Sequence, residues 1–299
     1  TEENPIIFTS KEPLPLQGDW DNIELHGESN ILRHIIYEYA SDGITGGGNA
    51  SGSIFDYVYI DGSKLPVDSD GIVVNGYDMI FTNNTIHIPS GGTAISVNNS
   101  FVYCDDYYVY PEHIYFFDYN HSNNIFQDNI LTAPRGIVSY TLSSYSSYLN
   151  NTISASGEAI FAQNCSNCVF DGNTLSGIQD DNYSEVSSGI YIEDLNDDEW
   201  WCLQYESGVE IYSSDTHIVN NTITSARSGI NLNLQDNSTN HYIANNHITG
   251  SLESSGIAVN RDSEISFNHI ERTIGADNGD FINARNSHIH NNILRDLDF

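Results

Sequence analysis

The sequence predicts an all-β solenoid, a parallel β-helix built from coils of about 22 residues. Three observations carry this. An asparagine recurs at nearly constant spacing, a Gly-Ile-x-Val phrase recurs beside it, and no long stretch shows a helical period.

Asn129, Asn151 and Asn173 are 22 residues apart, as are Asn246 and Asn268. Asn84, Asn221 and Asn292 join the series at longer or doubled intervals. Each has a large apolar residue three before it and another two after it. The pairs are Phe81/Ile86, Phe126/Leu131, Tyr148/Ile153, Phe170/Leu175, Ile218/Ile223, Ile243/Ile248, Ile265/Ile270 and Ile289/Leu294. The second phrase begins at Gly71, Ala94, Gly136, Gly189, Gly229 and Gly256. Both phrases alternate apolar with polar residues and are rich in β-branched side chains, so both read as short strands. Gly and Asn supply the corners, because they tolerate positive φ at little cost. The recurring asparagine is expected to stack as a corner ladder that pairs backbone groups a tight turn would leave open. A different reading of the asparagines is glycosylation, since Asn49, Asn83, Asn98, Asn120, Asn150, Asn164, Asn182, Asn220 and Asn237 begin sequons.

The Asn-x-Ile and Gly-Ile-x-Val phrases resemble the right-handed parallel β-helix repeat of the pectate-lyase-like superfamily. That group includes archaeal and bacterial surface proteins, polysaccharide enzymes and phage tailspikes. The resemblance is clear over about residues 70–299 and weaker over 23–62, where Asn30-Ile31-Leu32-Arg33 echoes Asn292-Ile293-Leu294-Arg295. It specifies a fold and leaves the chemistry open.

We expect one solenoid domain over residues 1–299, with 1–22 as an extended N-terminal segment. The chain departs from its period at 98–122 and 194–206, and more briefly at 234–241, each time just after a Gly-Ile-x-Val strand. These insertions carry Tyr107, Tyr108, Tyr110, Trp200, Trp201 and Tyr205, an aromatic set suited to stacking on sugar faces or to packing at an interface. They also carry Asp105, Asp106, Asp197 and Asp198, which with Asp194 form a candidate calcium site. Cys104 and Cys202 lie in the insertions and are expected to pair with Cys165 and Cys168 in some combination, with inter-chain bonds as an alternative. The Cys-x-x-Cys spacing also admits a zinc or redox reading, although no second such pair accompanies it.

A net charge of −32, from 41 acidic and nine basic residues, excludes nucleic acid and anionic membrane surfaces as natural partners. Adaptation to high salt and divalent-cation binding both fit that balance. The Asn, Ile and Tyr content with scarce Lys is similar to that of a salt-adapted archaeal surface protein. No apolar run reaches membrane-spanning length, so no membrane insertion is expected. The start at Thr1, the sequons and the even number of cysteines suggest an exported chain with its signal removed, extracellular or at the cell surface.

For catalysis, the resemblance implies an Arg-x-Lys element in polygalacturonase-like hydrolases, and none occurs here. If the chain were a glycosidase, Glu193, Asp194 and Glu210 would be its carboxylates. His247 and His269, which follow their ladder asparagines directly, read as repeat-surface positions. Neither end is expected to form a capping segment, and an uncapped solenoid suits a polymer of itself. The leading expectation is a structural protein that self-assembles into a sheath, surface layer or filament. The alternatives are a glycoside hydrolase or lyase acting on an extracellular polysaccharide, and a carbohydrate-binding adhesin or spike.

Overall fold

A computed structural model describes residues 4–88, 91–98, 122–140, 143–178, 188–194, 212–225, 228–250, 255–273 and 280–297. The chain is a parallel β-solenoid of about nine turns and about 25 residues per coil, somewhat longer than the sequence period suggests. A full coil contributes three strands, as in Ile125–Gln127, Ile130–Ala133 and Arg135–Tyr140. The first two lie on either side of the asparagine corner in a 19-stranded sheet, and the third joins a 10-stranded sheet. Among the described residues every strand pairing between coils is parallel, as where Ile125 faces Ile80 on one side and Ser147 on the other, and the register shifts only within Ile44–Asn49 and Thr174–Ile178.

Alternation places one apolar row inside each face. Ile95, Ile137, Ile160, Ile190, Ile230 and Ile257 are fully buried along the 10-stranded sheet. Phe55, Phe81, Phe126, Tyr148 and Phe170 form a second row, with successive rings 4.5–5.0 Å apart and within 8° of parallel. Each buried side chain of this size contributes about 2 kcal/mol relative to its exposed state. Burial of Tyr148 raises its hydroxyl pKa to about 12, which keeps it neutral inside this stack.

The asparagine ladder is continuous through Asn84, Asn129, Asn151, Asn173, Asn221, Asn246, Asn268 and Asn292. Each side-chain amide donates to the carboxamide oxygen of the next member at 2.9–3.0 Å. The same amide donates to a main-chain carbonyl one coil below, as from Asn129 to Phe81 and from Asn151 to Phe126 at 2.9 Å. The long intervals are single coils, because Asn84 meets Asn129 directly across 45 residues and Asn173 meets Asn221 across 48. Asn83, Asn150 and Asn220 precede ladder members and take φ of 55°, 52° and 57°, the left-handed corner expected of Asn.

Two sequence expectations need correction. The glycines that open the Ile-x-Val strands do not adopt positive φ; they are there for space. A Cβ on Gly136 would lie 2.3 Å from the Ala159 carbonyl oxygen and 2.5 Å from an Ile153 methyl. The Asn30 echo is also out of register. Ile31 pairs with Ile54, before the corner, whereas Ile293 pairs with His269, after it.

The solenoid starts earlier than the repeat signal, with Ile6–Phe8 already paired to Ile35, Ile36 and Tyr37. Residues 1–22 are therefore not simply an extended lead-in. The signal fades because Val58 holds the ladder position in its coil: its amide donates to Asn84 Oδ1, and it has no carboxamide of its own.

Candidate functional site

The outer face of the 10-stranded sheet breaks its polar pattern in three neighbouring coils. In register with Ser96, Asn231 and Ala258, the outward position holds Val138, Phe161 and Tyr191. These three are buried although they point away from the solenoid interior, and they form a second apolar cluster outside the main core. Tyr140 and Tyr191 flank Phe161 with ring centroids 5.5 and 5.6 Å away. Charged groups frame the cluster. Arg135 lies 3.3 Å from the nearly buried Glu158. Glu193 accepts from Gln163 at 2.8 Å and from the Tyr191 hydroxyl at 2.8 Å. Burial, and then the adjacent Glu193 charge, push the Tyr191 hydroxyl well above its ordinary pKa, so it stays a hydrogen-bond donor. General acid–base catalysis at neutral pH wants a group that changes protonation near the working pH. A phenol held this firmly protonated positions its neighbours instead.

Asp194 follows directly, at the corner where this sheet's strand ends. It is 5% exposed and has four donors. Ser213 supplies its backbone amide at 2.7 Å and its hydroxyl at 2.6 Å. Gln235 supplies its backbone amide at 2.7 Å, and the Ser238 hydroxyl completes the set. Burial raises the Asp194 pKa while these donors oppose the rise. The carboxylate thus ties together residues 194, 213, 235 and 238 on consecutive coils, and both its oxygens are occupied.

At the same corner the structure corrects the disulfide expectation: Cys165 is bonded to Cys168. The two sit on one tight turn with Cα atoms 5.5 Å apart, well inside the range a disulfide needs. The bond therefore closes the turn on itself and leaves no solenoid cysteine to anchor an insertion.

The remaining sequence candidates divide by location. Cys104, Asp105, Asp106, Tyr107, Tyr108, Tyr110, Asp197, Asp198, Trp200, Trp201, Cys202, Tyr205 and Glu210 lie outside the described residues, as do Asn120 and Asn182. Among the described sequons, Asn98, Asn150 and Asn237 are exposed, and Asn220 is exposed but donates to Asp171 at 2.8 Å. Asn49 and Asn83 are half-buried and donate to Glu28 and Asp56. Asn164 is fully buried, which leaves no room for a glycan on the folded chain. No three His, Cys, Asp or Glu side chains converge in a metal-holding group among the described residues. His247 and His269 stack at 4.9 Å on the solenoid surface, with Glu271 2.9 Å from His269. Sequence reasoning missed Arg135, Glu158, Phe161 and Tyr191. The signal was present in the variable residue of the Ile-x-Val phrase, which turns large and apolar in consecutive coils only there.

Among the described residues, the first and last coils expose core-facing side chains. Ile289 and Leu294 occupy inward rows, in register with the fully buried Ile265 and Ile270, yet they are 47% and 46% exposed. At the other end Ile6 and Phe8 hold inward positions and are also exposed. Among the described residues, Ile6–Phe8 pairs only with Ile31–Tyr37, and Ile293–Leu297 only with His269–Thr273.

No family model matches this sequence. No curated protein matches it either. Its fold is similar to that of PfbA, a surface adhesin of Streptococcus pneumoniae, with a TM-score of 0.52 and 12% identity over 98% of this chain and 75% of that one. The mannuronan C-5 epimerase AlgE6 A-module of Azotobacter vinelandii aligns with a TM-score of 0.42 and 14% identity, over 91% of this chain and 59% of that one. The class is therefore a parallel β-helix protein.

Proposed function

We propose that this protein is an extracellular structural subunit whose solenoids stack end to end. The observation that carries the reading is the exposure of core-facing side chains on the last described coil. A half-exposed Leu294 and Ile289 forfeit about 1 kcal/mol each relative to full burial, and the strand edge beside them is a template for pairing. The first coil of a second copy offers the complementary edge, with Phe8 exposed in the inward row of Leu294 and Ile6 exposed in the ladder row of Asn292. Such a contact is heterologous and repeats without closing, which gives a filament. A location outside the cell agrees with the Cys165–Cys168 bond, which needs an oxidising compartment. It also agrees with the solenoid architecture shared with a surface adhesin.

Light scattering on the full chain tests this. The wild type should form particles whose mass grows with concentration, and Leu294→Glu should stay monomeric with its fold intact. A wild type that remains monomeric across the same range overturns the reading.

A further inference from the structure

The corner residue with positive φ is Asn, Asp or Gly in most coils, as at Asn83, Asp128, Asn150, Gly172, Asn220, Asn245 and Asn291. It is aromatic in three coils: Phe267 at φ 57° near the end, and in two adjacent coils near the start His34 at φ 52° and Tyr57 at φ 55°. A bulky side chain in this region is strained, and strain of this kind concentrates where a side chain has another task. The two rings stack, with centroids 5.0 Å apart and planes 18° from parallel. Tyr59, in register with Ile36 and Thr85, stands beside them on the outer surface. Tyr57 and Tyr59 remain 41% and 43% exposed.

These residues line a groove of about 330 Å³ completed by Pro5, Asn83 and Thr85. That volume is at the small end of ligand sites. No Asp, Glu, Lys or Arg lines it. The Nδ1 atom of His34 is buried without a hydrogen-bond partner, so the His34 ring serves as the stacking partner of Tyr57 and turns no polar contact from that atom into the groove. The groove crosses three coils, and coils stack about 4.8 Å apart, a step close to the length of one sugar ring along a chain.

We propose that this groove binds a neutral glycan. The exposed Tyr57 and Tyr59 rings receive the C–H faces of pyranose rings, and Asn83 and Thr85 serve their hydroxyls. An anionic polymer is disfavoured, because the lining offers no cation and the protein carries a net charge of −32. The groove lies at the asparagine corner of the first coils, away from the outer face of the 10-stranded sheet.

The test uses substitutions drawn from the chain's own repeats. Tyr57→Asn installs the residue that Asn83 and Asn150 hold at the same corner, and Tyr59→Thr the residue that Thr85, Thr152 and Thr174 hold in the same row. The double variant should therefore fold, with a melting temperature equal to or above that of the wild type. Calorimetric titration with cellohexaose, mannohexaose and N-acetylchitohexaose, with hexagalacturonate as the anionic control, reads binding. At least one neutral probe should bind saturably with Kd of about 1 mM or tighter, and the double variant should weaken it at least about tenfold. The proposal is overturned if no neutral probe binds saturably, if the double variant binds as well as the wild type, or if hexagalacturonate binds equally.

Discussion

The carboxamide of Asn151 donates to Asn173 Oδ1 at 3.0 Å while its own oxygen accepts both the backbone and the side-chain amide of Asn129. One side chain thereby closes the corner of its own coil and supports the coil below. Asn151→Ala would remove the partner of the Asn129 backbone amide, of one Asn129 side-chain N–H and of the Phe126 carbonyl in a dry interior, at a cost of about 3 kcal/mol or more. Its neighbour Asn150 is exposed and is held by backbone conformation alone, so Asn150→Ala should cost only about 1 kcal/mol. Urea unfolding of the two variants should show that order.

The glycine row makes a prediction of a different kind. A Cβ at Gly229 would lie 2.5 Å from the Gly256 carbonyl oxygen and 2.5 Å from an Ile248 methyl, so the coils must part to admit it. Gly229→Ala should destabilise by about 2 kcal/mol or more, the opposite of the gain that Gly→Ala brings where space and φ allow it. Thermal unfolding decides the sign.

His241 supplies a pH dependence. It is buried, neither ring nitrogen has a hydrogen-bond partner, and burial lowers its pKa to about 4 despite the attraction of Asp215. In the unfolded chain this imidazole takes a proton below its ordinary value of 6.5, and in the folded chain it does so only near 4. Its contribution is therefore complete above that ordinary value and is lost as pH falls through this window, by about 3 kcal/mol. His241→Ser, which copies Ser263 in the next coil, should flatten the slope of stability against pH over that interval.

The Cys165–Cys168 bond closes a very short loop, so its removal through the paired Cys→Ser change should cost no more than about 2 kcal/mol. Non-reducing peptide mapping should recover the two cysteines in one linked fragment. Recovery of Cys165 or Cys168 bonded to Cys104 or Cys202 would contradict the structure.

How much of this was legible in the sequence follows from what each residue does. The ladder asparagines were readable because the same unpaired groups recur in every coil and one residue type answers them. Val58 was not readable, since an apolar residue at the ladder position needs only the amide partner that Asn84 provides from above. The Cys165–Cys168 pairing was missed because register reasoning looked across coils, while the turn itself brings the sulfurs together. The Gly136 row was assigned to backbone freedom because close approach between coils leaves no trace in one coil's sequence. Arg135, Glu158 and Tyr191 belong to different coils, and only stacking makes them neighbours.

Stacking of subunits must also overcome their charge. With a net charge of −32 each, copies repel at low ionic strength, and screening shortens that repulsion to about 3 Å at 1 M salt. Assembly should therefore be weak in dilute buffer and strengthen as salt is raised, as light scattering across a salt series would show.

The most direct measurement uses the register itself. Ile7 and Ile293 are outward positions of the same row, at opposite ends of the solenoid, and both are exposed. If the first coil of one copy pairs with the last coil of another, their Cα atoms come about 4.8 Å apart, close enough for a disulfide. Ile7→Cys and Ile293→Cys proteins, mixed under mild oxidation, should yield a cross-linked heterodimer that peptide mapping assigns to that pair. Absence of this cross-link, or equal cross-linking within either variant alone, would contradict end-to-end stacking.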